Sequence, residues 1–367
     1  MEWSFLLNFA YFHMIKRFKV SAWFIVLSTT FLACTKDNPD NTGNCNAGRA
    51  TPVTLERPTR FPAIADFSYN PMTVEGIALG KKLFYEKRLS ADNTISCGSC
   101  HKQQYNFSDG GEQFSKGVGG ALGNRNSMAL VNMAWNTTFF WDGRHSTLEA
   151  QIHDPVVNPI EMMENWPSVV SKLQNSAEYP DLFCQAFGTN TIDSSLVMNA
   201  IAQFLRSITS SKSRWDRFIR QEIQLTESEI NGYQIFSTEK GDCFHCHVPD
   251  NMLFMDNQFH NNGLDAAFTD LGLGSFTGNA NDAGKFKTPT LRNIVFSAPY
   301  MHDGRFATLE EVIEHYNQGG TPSATIDPLM KKVGVGLNLS ASEKQDLLNF
   351  IKCLTDSSVL VNPDFSE

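Results

Sequence analysis

Cys97-Gly98-Ser99-Cys100-His101 and Cys243-Phe244-His245-Cys246-His247 are two copies of the pattern C-x-x-C-H. In this pattern the two thiols add to the vinyl groups of a haem, and the histidine that follows binds the iron. Paired cysteines also occur in zinc sites and redox dithiols, but neither use gives a reason for a histidine directly after both pairs. The sequence therefore predicts two covalently bound haem c groups, with His101 and His247 as iron ligands.

The rest of the chain repeats around these two motifs. In each copy an Arg-Asn pair, an Asp-Gly-Arg turn and a Thr-Leu-Glu segment follow in the same order, beginning at Arg125, Asp142 and Thr147 and at Arg292, Asp303 and Thr308. Such repetition indicates a duplicated module with one haem in each copy. We therefore predict a mostly α fold of two tandem cytochrome c-type haem domains with long haem-wrapping loops, residues 61–225 and 226–367.

Periodicity and capping patterns predict where helices lie. Apolar residues from Val197 to Ile208 recur at helical spacing and predict a helix that runs on towards Phe218. Thr226-Glu227-Ser228-Glu229 and Ser340-Ala341-Ser342-Glu343 are capping boxes that predict two further helix starts. Two stretches rich in Gly and Asn are predicted to be haem-wrapping loops, residues 117–126 and 271–284.

The N-terminal segment is predicted to direct export. Three basic residues at positions 16–19 precede an apolar run, Val20 to Ala33, that is too short for a comfortable membrane span. Phe31-Leu32-Ala33-Cys34 resembles a bacterial lipobox, so we expect residues 1–34 to be a signal peptide and Cys34 to carry lipid. Translation begins at Met1 or at Met14. Residues 35–60 are predicted to be a flexible tether, because Asn, Pro, Thr and Gly dominate them.

Cysteine count and charge limit what else the protein does. With four thiols on haem and one on lipid, Cys45, Cys184 and Cys353 remain, so at most one disulfide forms, and spacing does not choose it. A net charge of −9 argues against a nucleic-acid partner. The same charge suits electrostatic docking of a basic electron donor. The lipid anchor is the only predicted contact with a membrane.

Three longer motifs carry a family resemblance that spans about residues 63–354. They are Phe140-Trp141-Asp142-Gly143-Arg144, Leu291-Arg292-Asn293 and the stretch from Ala298 to Arg305. With them the chain resembles the bacterial di-haem cytochrome c peroxidase family, and within it the MauG-like branch. The resemblance implies that peroxide reacts at the N-terminal haem, that the C-terminal haem receives and stores electrons, and that Trp141 lies between them.

The first haem is expected to have an open coordination position. No His or Met occurs between His101 and Ser127, where many family members carry a histidine that blocks the iron. The alternative is that His145 or His153 fills the position. The resemblance implies that three residues after Trp141 lie on the distal side of the first haem, where peroxide binds: Glu161, Gln151 and Pro155. Of these, Glu161 would be the acid-base group. The largely apolar segment 156–160 beside Glu161 predicts that burial raises the pKa of its carboxyl.

The sixth ligand of the second haem has three candidates. Met301 offers a thioether, which is common in c-type haems. The resemblance instead points to Tyr316, the position that holds Tyr in the MauG branch and Met in the classical peroxidases. His315 is the third candidate. A phenolate is a hard anionic donor, so Tyr316 would favour Fe(III) and lower the reduction potential.

A Ca²⁺ site between the haems also follows from the resemblance. Its predicted ligands are Asn126 and the backbone carbonyls of Ser297 and Pro299. Oxygen donors are the groups that Ca²⁺ prefers in proteins.

Three functions are compatible with these features. The favoured one is an exported, periplasmic peroxidase that reduces hydrogen peroxide to water with electrons from a small cytochrome c or cupredoxin. The second is a MauG-like oxidase that withdraws electrons from a protein substrate. The third is a di-haem electron carrier without enzymatic activity, which would gain nothing from an open iron beside an acid such as Glu161.

Overall fold

The computed structural model describes Cys45, Gly48 and residues 50–367. These residues belong to one compact unit. The predicted signal peptide, both candidate start residues and Cys34 lie outside them. Among the described residues, no helix has the length and apolar character needed to cross a bilayer.

Most of the regular structure is helical, and only one two-stranded antiparallel sheet is found in the described part of the chain. The helices are α1 Val74–Phe84, α2 Cys97–Cys100, α3 Leu148–Val157, α4 Trp166–Gln174, α5 Tyr179–Phe187, α6 Ser194–Ser207, α7 Arg214–Ile219, α8 Glu227–Phe236, α9 Leu273–Thr277, α10 Leu309–Asn317, α11 Ala341–Lys352 and α12 Ser358–Val361. The strands are β1 Phe259–His260 and β2 Phe286–Lys287. The prediction of a mostly α chain is confirmed.

Side-chain caps begin the helices where the sequence predicted them. The boxes Thr226–Glu229 and Ser340–Glu343 form at the starts of α8 and α11, with both reciprocal hydrogen bonds present. Thr147 caps α3 and Thr308 caps α10, so the two copies of the repeat start equivalent helices. Both capping predictions are confirmed.

The predicted helix towards Phe218 is wrong in its length. Helix α6 ends at Ser207, and Ile208 is extended, with ψ of 92°. Asn132 holds the chain at this point, because its amide donates to the Ile208 carbonyl and its Oδ1 accepts from the Ser210 amide. Helix α7 then begins separately, under a capping box between Ser213 and Asp216.

The two stretches rich in Gly and Asn differ from one another. Residues 117–126 contain only a 3₁₀ turn, Val118–Gly120. Residues 271–284 include helix α9 and a second 3₁₀ turn, Ala280–Asp282, so this stretch is partly helical rather than a plain loop.

Two hydrophobic cores organise the unit, and the chain crosses between them. The first core is built around α1, α3 and α6, with Leu83, Phe84 and Phe204 fully buried. The second is built around α8 and α11 and contains Trp215 and Phe350. Phe61 and Trp135 pack in the second core, whereas Val359 of the C-terminal segment packs in the first. These crossings link the two halves mechanically.

A disulfide joins the N-terminal segment to the first half. Cys45 bonds to Cys184 of α5, 139 positions further along the sequence, and Cys353 is a buried free thiol. Nearby, the Thr51 amide donates to Glu75 of α1 at 2.7 Å. These contacts attach the end of the predicted tether to the unit.

Removing the disulfide is expected to destabilise the protein. Cys184→Ser should lower the free energy of unfolding by about 2–4 kcal/mol, since the unfolded chain regains a long closed loop. Urea titration of the haem-loaded protein measures the effect. The double variant Cys45→Ser/Cys184→Ser should lose no more than the single variant, because both lack the same cross-link. If the double variant lost clearly more free energy of unfolding than the single variant, the loss of the cross-link would not be the cause.

A buried ion pair fastens the second copy of the repeat. Arg292 and Asp216 are buried and form two hydrogen bonds of 2.6 and 2.9 Å, while the Arg292 Nε donates to the Met252 carbonyl. Burial alone would raise the pKa of Asp216, but Arg292 and Ser213 hold it below its ordinary value. The carboxylate therefore stays charged and paired.

Breaking this pair is expected to cost more than breaking an exposed one. Asp216→Asn leaves the Arg292 guanidinium buried without a counter-ion and should lower the free energy of unfolding by about 3–5 kcal/mol. The matched control is Glu222→Gln, which breaks the exposed pair with Arg220 and should leave the free energy of unfolding nearly unchanged. Equal losses in urea titrations of the two variants would show that burial of the pair is unimportant.

Candidate haem-binding cavities and the wall between them

The first C-x-x-C-H motif forms a short helical turn that points its histidine inward. Helix α2 ends at Cys100, and the His101 Nδ1 lies 2.8 Å from the Phe107 carbonyl. A carbonyl oxygen only accepts, so Nδ1 carries the proton and Nε2 keeps its lone pair for a metal. Burial lowers the pKa of His101, which favours the neutral ring that binds iron.

The second motif repeats this geometry. The His247 Nδ1 lies 2.9 Å from the Phe254 carbonyl, and burial lowers the pKa of His247 as well. Phe107 and Phe254 both have positive φ, 58° and 53°, a conformation that bulky residues rarely adopt. The same unusual turn therefore presents a carbonyl to the histidine in each copy of the repeat.

Each motif lines its own cavity. Cys97, Cys100 and His101 line the first cavity, and Cys243, Cys246 and His247 line the second. The four thiols are unpaired. Two free thiols and a histidine with an available Nε2 on one cavity wall are the donor set that haem c requires, so the residues fit this cofactor in both places.

The distal residues expected at the first haem come together in the first cavity. Gln151 and Pro155 of α3 and Glu161 just beyond it all line this cavity, together with His101. The Glu161 carbonyl accepts a hydrogen bond from the Val118 amide at 2.8 Å. The loop of residues 117–123 is thereby packed against the segment that carries Glu161. Gly117 is required there, because a Cβ would lie 2.2 Å from the Ile160 carbonyl oxygen.

Histidines that could close the first iron lie elsewhere. Among the described residues, His101 is the only histidine that lines the first cavity, although Met128, Met133 and Met162 also reach it. His145 and His153 both contact the Asp154 carboxylate, at 2.9 and 3.3 Å.

The electrostatics of Glu161 differ from those of its neighbour Glu164. Burial raises the pKa of the Glu161 carboxyl, although a hydrogen bond from Asn158 at 2.6 Å and the charge of Arg144 oppose the shift. For Glu164, burial acts in the same sense, but Lys172 at 2.5 Å holds its pKa below the ordinary value. Glu161 is therefore the carboxyl suited to exchange a proton inside the cavity.

The sequence motif Asp142-Gly143-Arg144 has a structural role that the sequence did not reveal. Arg144 lines the first cavity, forms ion pairs with Asp142 and Asp154, and places its guanidinium 3.3 Å from the centroid of the Phe140 ring. Arg125 binds Asp142 from the other side, at 2.6 Å. The repetition of Asp-Gly-Arg in both halves was the available signal for this network.

Trp141 lies in the wall that the two cavities share. Its ring lines both cavities, and its Nε1 donates to the Asn126 carbonyl at 2.8 Å. Lys287 also lines both cavities, and its amide donates to the Trp141 carbonyl at 2.9 Å. Sequence analysis singled out Trp141 and missed Lys287.

Two of the three candidate ligands line the second cavity. The Asn262 Nδ2 donates to the Tyr316 Oη at 3.1 Å and lies 3.4 Å from the Met301 Sδ. Burial raises the pKa of Tyr316 to about 12, and the Asn262 hydrogen bond opposes this. The His315 Nε2 is hydrogen-bonded to the Asn262 carbonyl at 3.0 Å, and His315 is not among the residues that line the cavity.

The three predicted calcium ligands meet at the second cavity. Asn126, Ser297 and Pro299 all line it. The Asn126 Oδ1 and the carbonyl oxygens of Ser297 and Pro299 accept no hydrogen bond from the described residues. Three such oxygens suit a hard cation.

Comparison with known proteins places the chain in one family. The family described as di-haem cytochrome c peroxidase matches residues 74–224. The methylamine utilization protein MauG of Methylorubrum extorquens is 34% identical over 338 residues, which cover 91% of this chain and 93% of that protein. The cytochrome-c peroxidase IdrP1 of a Pseudomonas species is 34% identical over 80% of this chain and 84% of its own length.

Solved structures agree. The crystal structure of a MauG-like protein associated with microbial copper homeostasis has a TM-score of 0.79 and 37% identity, over 86% of this chain and 99% of its own. The diheme peroxidase BthA of Burkholderia thailandensis shares the fold, with a TM-score of 0.68 at 21% identity over 86% of this chain and 99% of its own. This chain is therefore an oxidoreductase that belongs to the di-haem cytochrome c peroxidase family, together with the MauG proteins, and the family carries two haem c groups.

Proposed function

We propose that this protein reduces hydrogen peroxide to water at the haem held by His101, with electrons that enter through the haem held by His247. One observation carries the proposal. Glu161, Gln151 and His101 all line the first cavity, and burial raises the pKa of the Glu161 carboxyl. An acid-base group inside a haem cavity is what cleavage of peroxide needs and what electron transfer alone does not.

The protein residues divide the chemistry between them. When bound, the haem supplies the iron that binds peroxide and the electrons that cleave its O–O bond. Glu161 would take a proton from one oxygen of the bound peroxide and give it to the other oxygen, which leaves as water. Two electrons from the donor and two protons from solvent would convert the remaining oxygen to a second water. Gln151 orients the far oxygen through its side-chain amide. Pro155 limits the space around the peroxide.

Electrons would reach the first cavity through Trp141. Its ring borders both cavities, so it offers the short path between the two haems. The donor would be a small cytochrome c or cupredoxin with a basic face, since this chain carries a net charge of −9.

Steady-state turnover of peroxide with a reduced small cytochrome c tests the proposal. We expect turnover without prior reduction of the protein, because His101 is the only histidine among the described residues that line the first cavity. A protein that binds two haems but leaves peroxide untouched would instead be the electron carrier. Stopped-flow spectra after one equivalent of peroxide would separate reaction at the first haem from simple electron transfer.

A second candidate function is oxidation of a protein substrate, as the MauG relatives suggest. The observation that favours it is the Tyr316 phenol in the second cavity, whose Oη accepts a hydrogen bond from Asn262 and is therefore available there as a ligand in addition to Met301. An anionic phenolate would stabilise oxidised states of the second haem and so hold oxidising equivalents longer. Negligible peroxidase turnover, together with a long-lived oxidised state of both haems, would favour this function.

The remaining features complete the proposal. Two cores support two haem domains with haem-wrapping loops, which we place at residues 61–225 and 226–367, although Trp215 and Leu225 already pack in the second core. Three oxygens that accept no hydrogen bond from the described residues, from Asn126, Ser297 and Pro299, support a Ca²⁺ between the haems. Residues 1–34 would export the protein to the periplasm and anchor it through lipid on Cys34. The Cys45–Cys184 disulfide agrees with an oxidising compartment.

A further inference from the structure

In the described part of the chain, the wall between the haem cavities contains one titratable side chain, and the proposed reaction does not use it. Seven of the described residues line both cavities, and Lys287 is the only titratable one among them. The other six are Asn126, Ser127, Met128, Ala129, Asn136 and Trp141. A charge at this position is felt by both haems, because it lies between them in a medium of low dielectric constant.

The Lys287 amine is buried without a counter-ion. The residue is 3% exposed, and its Nζ donates to the Thr138 carbonyl at 2.8 Å. The amine lies 5.9 Å from the centroid of the Phe139 ring, and no carboxylate lies within ion-pair distance of it in the described part of the chain. A buried ammonium with only neutral neighbours loses its proton easily. Burial accordingly lowers the pKa of Lys287 to about 7, with Asp256 opposing the shift.

The backbone of Lys287 is held in place on two sides. Strand β2 pairs Lys287 with Phe259 of β1, and the Lys287 amide is bonded to the Trp141 carbonyl. The Phe259 ring in turn lies directly against Gly143, where a Cβ would come within 2.1 Å of the ring. Lysines near a surface usually extend their amine to solvent, but this one is held inside.

The charged groups on the neighbouring segments are already paired. Asp256, before β1, is hydrogen-bonded to His260 at 2.7 Å. Burial alone would lower the pKa of His260, but hydrogen bonds to Asp256 and Asp327 raise it. On the loop of Trp141, Asp142 is bound by Arg125 and Arg144. His302, which stacks on Phe286, is kept neutral by burial, which lowers its pKa. Among these groups, Lys287 is thus the one poised to change charge near neutral pH.

We propose that Lys287 is a redox-linked proton site that both haems share. Its amine takes one proton from solvent when one electron enters the haem pair, and returns that proton when the electron leaves. The electron comes from the small redox-protein donor, and the ammonium offsets its negative charge. The inference rests on the proposed function only in placing a haem in each cavity.

Potentiometric titration of the haem-loaded protein between about pH 6 and about pH 8.5 tests this proposal. An ammonium stabilises the reduced haems, so the midpoint potentials should fall as the pH rises. The largest possible slope is a tenfold change in the reduction equilibrium constant per pH unit. For one electron this corresponds to a change in midpoint potential of ~59 mV per pH unit, divided between the two haems. Lys287→Met should give the high-pH potentials of the wild type at every pH. Lys287→Arg, which keeps its charge, should give the low-pH potentials at every pH.

The matched control is Lys285→Met, two residues earlier on the same segment. Lys285 is ion-paired with Asp282 and lines neither cavity, so this variant should keep the wild-type pH dependence. A Lys287→Met variant that retains the wild-type slope would overturn the proposal. If that variant fails to bind haem, potentials of the wild type that do not change with pH, or an arginine variant that keeps the slope, would overturn it equally. If the wild-type protein shows the expected pH dependence of its midpoint potentials but no peroxidase turnover, only the proposed function is contradicted.

Discussion

Replacing Glu161 with glutamine is expected to lower kcat for peroxide reduction by about 10²- to 10⁴-fold, the usual contribution of a positioned acid-base group. The amide keeps the size of the side chain and can still contact Asn158, so the cavity should remain intact. What it lacks is a site that can accept the proton of bound peroxide. Steady-state assays with a reduced small cytochrome c measure the loss.

Two comparisons separate a chemical role of Glu161 from a structural one. Glu164→Gln, three residues away, removes a carboxylate that is paired with Lys172 and should leave kcat nearly unchanged. The spectra of both haems and their content should be the same in the two variants. A loss of kcat in Glu161→Gln that comes with loss of haem would point to folding and not to proton transfer.

The pH profile gives a third criterion. Because burial raises the pKa of Glu161, its basic form is lost at a higher pH than for an ordinary carboxyl. Peroxide reduction should therefore decline on the acidic side as Glu161 becomes protonated. In the glutamine variant the residual rate should lack this acidic limb. An identical limb in both proteins would assign the titration to another group.

Local patterns predicted the parts of the fold that local interactions determine. The capping boxes at Thr226 and Ser340 formed as expected, because their hydrogen bonds join residues three apart. The break after α6 was not predictable in this way. It depends on Asn132, which lies 78 residues from its partner Ser210, and no periodicity reports such a contact.

The same distinction holds for the candidate site. Counting along the chain from Trp141 located Glu161 and Gln151, since all three lie on one continuous segment around α3. The position of Lys287 was not predictable in this way, because it depends on a contact with Thr138, 149 residues away. The Cys45–Cys184 pairing was equally open from sequence, because it joins segments 139 positions apart.

Replacing Tyr316 with phenylalanine is expected to convert the second haem from low spin to high spin and to raise its reduction potential. The phenolate would be an anionic ligand that stabilises Fe(III), and phenylalanine offers no donor atom. Axial ligands move haem potentials over a range of ~0.8 V, so we expect a rise on the order of 100 mV or more. Optical and electron paramagnetic resonance spectra of the two proteins, with potentiometry, measure both effects.

The second cavity supplies its own controls for this experiment. Tyr300→Phe removes another phenol that lines the cavity, whose Oη donates to the Ile294 carbonyl, and should leave the spectra unchanged. Met301→Leu removes the competing donor near Asn262 and should also leave the second haem low spin. An unaltered low-spin spectrum in Tyr316→Phe, with its loss in Met301→Leu, would transfer the ligand assignment to Met301. That result would also weaken the protein-oxidation candidate, because a thioether does not stabilise the oxidised haem as a phenolate does.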